Sequence, residues 1–168
     1  MTLAPRHRGR AIGIAAAAAL AVAMLGGLST DIGPWYAGLV KPAWQPPDAL
    51  FGPVWTLIFA LTAVAGAQAW LHAPTRRARE TVLMVVACNA LLNIVWSLLF
   101  FRLRRPDWAL IEVAALWLSI VVMMVVLGRH RRIAVLLLLP YLLWVSFAAV
   151  LNATIVRLNG PFTTFGAG

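Results

Sequence analysis

Charge is scarce in this chain, and acid is scarcer than base. The 168 residues hold five Asp and Glu against fourteen Lys and Arg, and charged residues make up 11% of the total. Soluble domains carry about a quarter charged residues, so a water-exposed globular domain is excluded. One cysteine, Cys88, leaves no internal disulfide and no cysteine-built metal cluster. His72 and His130 have no partner at metal-ligand spacing, so no metal site is expected. Also missing are a Gly-rich phosphate loop, paired carboxylates and a nucleophile beside a base, which removes the common hydrolase and nucleotide-binding readings. The inverted repeat or broken-helix pair of a secondary transporter is absent too. A net charge of +9 invites nucleic acid. Yet the basic residues sit in small clusters between apolar runs, the pattern of membrane topology signals, so no nucleic-acid partner is expected.

What the chain has is hydrophobicity: 62% apolar residues and a mean hydropathy of +0.88. A membrane span needs roughly 20 apolar residues at about 1.5 Å rise each. Five runs qualify, 11–28, 51–71, 81–101, 108–128 and 133–156, and together they predict an all-α integral membrane protein, a single domain over 1–168 built as a five-helix bundle in the lipid bilayer. The first run is longer than a signal-peptide core and lacks a small-x-small cleavage site before Trp35, so it is read as a retained span. With the N-terminus inside, Arg6, Arg8, Arg10, Arg76, Arg77, Arg79, Arg129, Arg131 and Arg132 lie on the cytoplasmic side. Lys41, Arg102, Arg104, Arg105 and Arg157 lie outside. The positive-inside rule therefore predicts a cytoplasmic N-terminus and an extracytoplasmic C-terminus, and helical spans with this Arg bias favour a cytoplasmic membrane. Short links after the second, third and fourth spans make successive helices antiparallel neighbours.

The connection 29–50 is the unusual segment. It holds Trp35, Tyr36, Lys41, Pro42, Trp44, Pro46 and Pro47, and it runs straight into Phe51, Trp55 and Phe59 of the second span. Proline makes it stiff and the rings make it amphipathic, which suits a lid over a ligand pocket better than a plain linker. Eight Trp is high for this length. Trp70, Trp108 and Trp35 suit membrane interfaces, whereas Trp55, Trp96, Trp117 and Trp144 lie deeper. Trp55 and Phe59 share a helix face at i, i+4. Asn89, Asn93 and Trp96 form one stripe of the third span, and Trp144, Ala148, Leu151 and Asn152, with Phe147 beside them, form another on the fifth. The amides have two readings, ligand contacts or bonds between helices. Glu112, inside the fourth span, is a carboxylate either hydrogen-bonded near the interface or kept protonated by burial, or else a proton relay. The Ala-rich first span and the pair Ala63 and Ala67 permit close helix contact, within the bundle or between protomers.

These residues resemble the TspO/translocator protein family, the tryptophan-rich sensory proteins also called peripheral benzodiazepine receptors. The resemblance rests on Trp35-Tyr36, Lys41-Pro42-x-Trp44-x-Pro46-Pro47, Phe51-x-x-Val54-Trp55-Thr56, Asn93-x-x-Trp96, Pro140-Tyr141-Leu-x-Trp144, Leu151-Asn152 and Arg157-Leu158-Asn159. It implies a five-helix bundle, often a homodimer, that needs no cofactor and binds porphyrin or haem, with sterol-like or synthetic ligands in some members. It implies a pocket under the first loop lined by Trp44, Phe51, Trp55, Asn93, Trp144 and Ala148. It leaves three roles open: sensor or regulator of tetrapyrrole load, transporter, and light-dependent porphyrin-degrading enzyme using Trp55 and Trp144. Three positions depart from the family pattern. Phe59 replaces a common Tyr, Ala49 a common Trp, and Ala153 stands near where the animal proteins place the Tyr of their sterol motif. The last departure lowers the expectation of cholesterol binding.

Overall fold

The computed structural model describes residues 33–162. Among these the order is α1 (Pro34–Ala37), a 3-10 turn (Asp48–Leu50), α2 (Phe51–His72), α3 (Arg76–Ser97), a π turn (Leu98–Arg102), α4 (Pro106–His130) and α5 (Ile133–Asn159). No strand occurs among the described residues. Four stretches are long and apolar enough to cross a membrane: Asp48–His72, Arg76–Arg102, Pro106–His130 and Ile133–Asn159. The run 11–28, expected as the first span, lies outside the described residues, as do Arg6, Arg8 and Arg10.

Helix boundaries extend past the hydropathy-based spans for local reasons. The third span begins at Arg76 rather than 81 because Thr75 caps it, its hydroxyl accepting from Ala78 N–H at 3.1 Å. Arg76 and Glu80 then pair at i, i+4, 2.8 Å apart, on the solvated first turn. The fourth begins at Pro106, whose missing N–H costs nothing at a helix start. The segment 29–50 is less loop-like than expected, since it contains α1 and the 3-10 turn.

Short connections fold the four long helices antiparallel, with α4 against α3 and α5, and α2 against α5. Small residues permit the closest approach: Ala65 and Ala69 of α2 and Ala134 of α5 are fully buried beside Ile120, Met123, Leu127 and Leu138. The close-contact pair on α2 is thus Ala65 and Ala69. Ala63 and Ala67, read from the sequence for contact within the bundle or between protomers, are half-buried on the neighbouring face and do not make the close contact inside the bundle. Leu57, Leu83, Met84, Leu91, Ile111, Leu118, Leu136 and Leu143 point outward, as lipid-facing residues of a membrane bundle do.

The end of α3 departs from α geometry. Residues 98–102 take the wider π turn, and Arg104 adopts a left-handed conformation (φ 54°). Arg105 N–H then returns to the Leu99 carbonyl at 2.9 Å, a closure one residue wider than that of a Schellman motif. Residues 100 and 101 consequently both face inward, toward the site.

Candidate functional site

At the end of the bundle nearest the 33–50 segment, α2, α3 and α5 part around a cavity of about 570 Å³. From α2 come Phe51, Trp55 and Phe59, one residue per turn of a single face. α3 supplies Asn93, Trp96 and Ser97, and the π turn adds Phe100 and Phe101. α5 supplies Trp144, Ala148, Leu151, Asn152 and Ile155. Tyr36, Asp48 and Ala49 of the 33–50 segment complete the wall, so that segment covers the cavity.

The rings form two connected walls. On one side Trp55 stacks on Phe59 (centroids 5.3 Å apart) and meets Tyr141 edge-on at 6.0 Å. Phe51 meets Trp144 edge-on at 5.6 Å, and Trp144 leans on Phe147 at 5.4 Å. On the other side Trp96 stacks on Phe100 at 5.3 Å, and Phe100 and Phe101 lie 4.8 Å apart. The cover is pinned to both walls. Trp44 packs edge-on against Phe147 at 5.8 Å, Trp35 against Phe100 at 6.2 Å, and Tyr36 against Phe101 at 5.6 Å. Each contact is of the offset or edge type favoured by the ring quadrupole.

Asp48 holds the cover together. Its Oδ1 accepts from the Tyr36 hydroxyl and from Gln45 Nε2, both at 2.9 Å, and its Oδ2 lies 3.2 Å from Lys41 Nζ. Lys41 also sits 3.7 Å above the Tyr36 ring. Burial, aided by the bond to Asp48, pushes the Tyr36 hydroxyl up to about 12, so it stays a donor. Pro42 accepts from Gln45 N–H and Pro47 from Leu50 N–H, turning the chain twice, with Pro46 between. The second connection to the bundle is Asn159, at the end of α5. Its Oδ1 accepts from Val40 N–H at 2.7 Å, and its Nδ2 donates to Val40 O at 2.9 Å.

Of the residues expected at the pocket, Phe51, Trp55, Phe59, Asn93, Trp96, Trp144, Ala148 and Leu151 front the cavity. Three do not. Asn89 lies deeper, its Nδ2 donating to Ser119 Oγ at 2.8 Å, and acts as a bond between α3 and α4. Phe147 and Trp44 stand behind the wall and brace it. Lys41 is engaged within the cover rather than facing the cavity. Asn93 does both jobs, fronting the cavity while Nδ2 donates to Tyr141 Oη at 3.3 Å. Asn152 likewise donates to Pro106 O at 2.8 Å, tying α5 to the start of α4. Among the described residues neither carboxylate oxygen of Glu112, buried away from the cavity wall, has a hydrogen-bond partner, so the hydrogen-bonded reading does not hold there.

Reasoning from sequence missed Phe100, Phe101 and Asp48 as parts of the site. The stripe Asn89, Asn93, Trp96 continues by four to Phe100, which was the available signal. Asp48 was marked by its place as an isolated acid close to Lys41 and Tyr36. Nothing in the sequence announced the π turn that brings Phe101 round.

The family model described as the TspO/MBR family matches residues 14–158. The chain is 41% identical over 125 residues to the tryptophan-rich protein TspO of Chlorobaculum tepidum, covering 74% of this chain and 79% of that one. It is 38% identical over 144 residues to the protein of the same name from Archaeoglobus fulgidus, covering 84% and 92%. With the translocator protein of Homo sapiens it shares 31% identity over 126 residues, covering 74% and 75%.

Proposed function

The chain belongs to the TspO/MBR family of integral membrane proteins, and on that premise we propose that it binds a porphyrin-type tetrapyrrole under the 33–50 segment and acts as a sensor or regulator of tetrapyrrole load. The observation that carries this reading is the make-up of the cavity. Its volume of about 570 Å³ falls within the roughly 300–1,000 Å³ usual for small-molecule sites. Its walls are faces and edges of Trp55, Trp96, Trp144, Phe51, Phe59, Phe100 and Phe101, and such surfaces suit a flat, apolar macrocycle better than an aliphatic one. Polar groups are few. Thr56, Asn93, Ser97 and Asn152 stand among the rings of the wall, which favours a ligand carrying a few donors and acceptors around an apolar body. We propose further that the protein has five spans in all, with a cytoplasmic N-terminus, and that it pairs as a homodimer.

Titration of the purified protein with protoporphyrin, haem and cholesterol, followed by Trp fluorescence, tests the proposal. Protoporphyrin or haem should bind at least about tenfold more tightly than cholesterol, a difference of about 1.4 kcal/mol. Equal or tighter sterol binding refutes it. A light-dependent degradation of bound porphyrin is the second reading, favoured by the position of Trp55 and Trp144 at the cavity wall. Bleaching of the porphyrin under illumination in the native protein, absent in Trp144→Phe, would establish that reading.

A further inference from the structure

We infer that Asn159 is a positioning residue that latches the cover shut, so that release of its amide from Val40 sets how fast a ligand enters and leaves. The inference rests on the proposed ligand site, but the latch itself is a feature of the fold. Val40 and Asn159 are 119 positions apart in sequence. The Asn159 amide satisfies both the N–H and the C=O of Val40, at 2.7 and 2.9 Å. That two-point exchange is how a residue pairs with its neighbour in an antiparallel ladder. Here a side chain takes the place of a strand.

The amide is held in one orientation. Nδ2 has two protons: one goes to Val40 O and the other to Ile155 O, one turn back on α5, at 2.9 Å. Turning the amide over would set its oxygen against two carbonyls and its NH2 against an N–H, so the three bonds fix the assignment. Ile155 lines the cavity. A path of contacts therefore runs from the cavity wall, through the Ile155 carbonyl and the Asn159 amide, to the middle of the cover. Val40 is otherwise exposed. Asp48 knits the cover internally; Asn159 ties it to α5.

Asn159→Asp is the discriminating variant. It keeps the shape of the side chain at the exposed end of α5 and removes both donors, placing an oxygen against the carbonyls of Val40 and Ile155. Asn159→Ala, which removes the amide altogether, guards against an effect of the added charge. Two measurements apply, both in lipid nanodiscs with the full chain. The first needs no ligand: hydrogen exchange at the Val40 amide and acrylamide quenching of Trp fluorescence. Both should rise in the two variants, with the melting temperature little changed. The second is stopped-flow protoporphyrin binding. Association and dissociation should each quicken, by about threefold to tenfold for the hydrogen bonds lost, while Kd moves less than either rate. Unchanged Val40 exchange overturns the latch. Faster exchange with unaltered binding rates overturns its control of entry while leaving the binding site standing. If the native protein binds no protoporphyrin, the ligand assignment fails instead; acrylamide access then decides the latch, and no increase in the variants refutes it.

Discussion

The two ends of the same bundle are built from side chains of different size, and that difference makes the site. Away from the cover, α2 and α5 meet through Ala65, Ala69 and Ala134, fully buried, and α4 fills in with Ile120, Met123 and Leu127. Toward the cover the same helices carry Phe51, Trp55 and Trp144, α3 carries Trp96 and the π turn after it carries Phe100. Methyl groups let backbones close; rings braced edge to face hold them apart. The cavity is thus a consequence of zoning along each helix. A helix with mixed sizes along its length would give neither a tight end nor an open one.

This contrast is open to direct attack. Enlarging the tight end should do the most harm: Ala65→Leu is expected to destabilise the fold by about 1–3 kcal/mol, toward the upper part of that range, because no space receives the added atoms. Thermal or denaturant unfolding in detergent reads it, and a neutral result would mean the tight end is loose. At the open end Trp144→Ala removes a face of the cavity and should weaken protoporphyrin binding by about 2 kcal/mol, measured by titration with melting as the check on folding. Asn89→Ala sharpens the boundary between the two ends. It should cost about 1 kcal/mol of stability through the lost bond to Ser119, and protoporphyrin affinity should hold, since Asn89 is not on the wall. Trp44→Ala frees the cover from Phe147; dissociation should quicken about threefold, an effect of about 0.6 kcal/mol, with the fold intact. Smallest of all, Trp70→Ala at the far end, where Arg79 lies 5.0 Å above the ring, should leave affinity within about 0.5 kcal/mol. If it matches Trp144→Ala, the ligand does not sit at the open end.

Hydropathy alone located the four described spans, because a helix in lipid must be apolar over its whole length. It placed their ends less well. Arg76–Glu80 is helical but charged, so a scale that scores apolarity stops short of it. The wall on α2 was legible as Trp55 and Phe59 one turn apart. The stripe on α3 was legible in direction but not in depth: Asn89 points the same way as Asn93, yet it lies a turn further from the cover, where the cavity has ended and α4 is the neighbour. Periodicity reports the face of a helix and says nothing of how far along it a cavity extends. Phe147 illustrates the converse, adjacent in sequence to the lining residue Ala148 yet rotated behind the wall. The bonds of Asn159 and Asp48 depend on where the cover formed by residues 33–50 comes to rest, and only tertiary structure supplies that.

The π turn at Leu98–Arg102 carries a consequence for how such a chain can change over generations. A π turn is an α-helical turn holding one residue more than the ordinary ladder accommodates. Deleting residue 98, 99 or 100 would let the ladder close as plain α-helix. The chain beyond the deletion would swing by about 100°, carrying Phe101 from the cavity and moving Arg104 from its place over Trp35. Substitutions within the turn alter one ring at a time; a single-codon deletion would dismantle a wall and displace a contact of the cover together. Over these five positions the number of residues is inherited information in its own right, beside their identity.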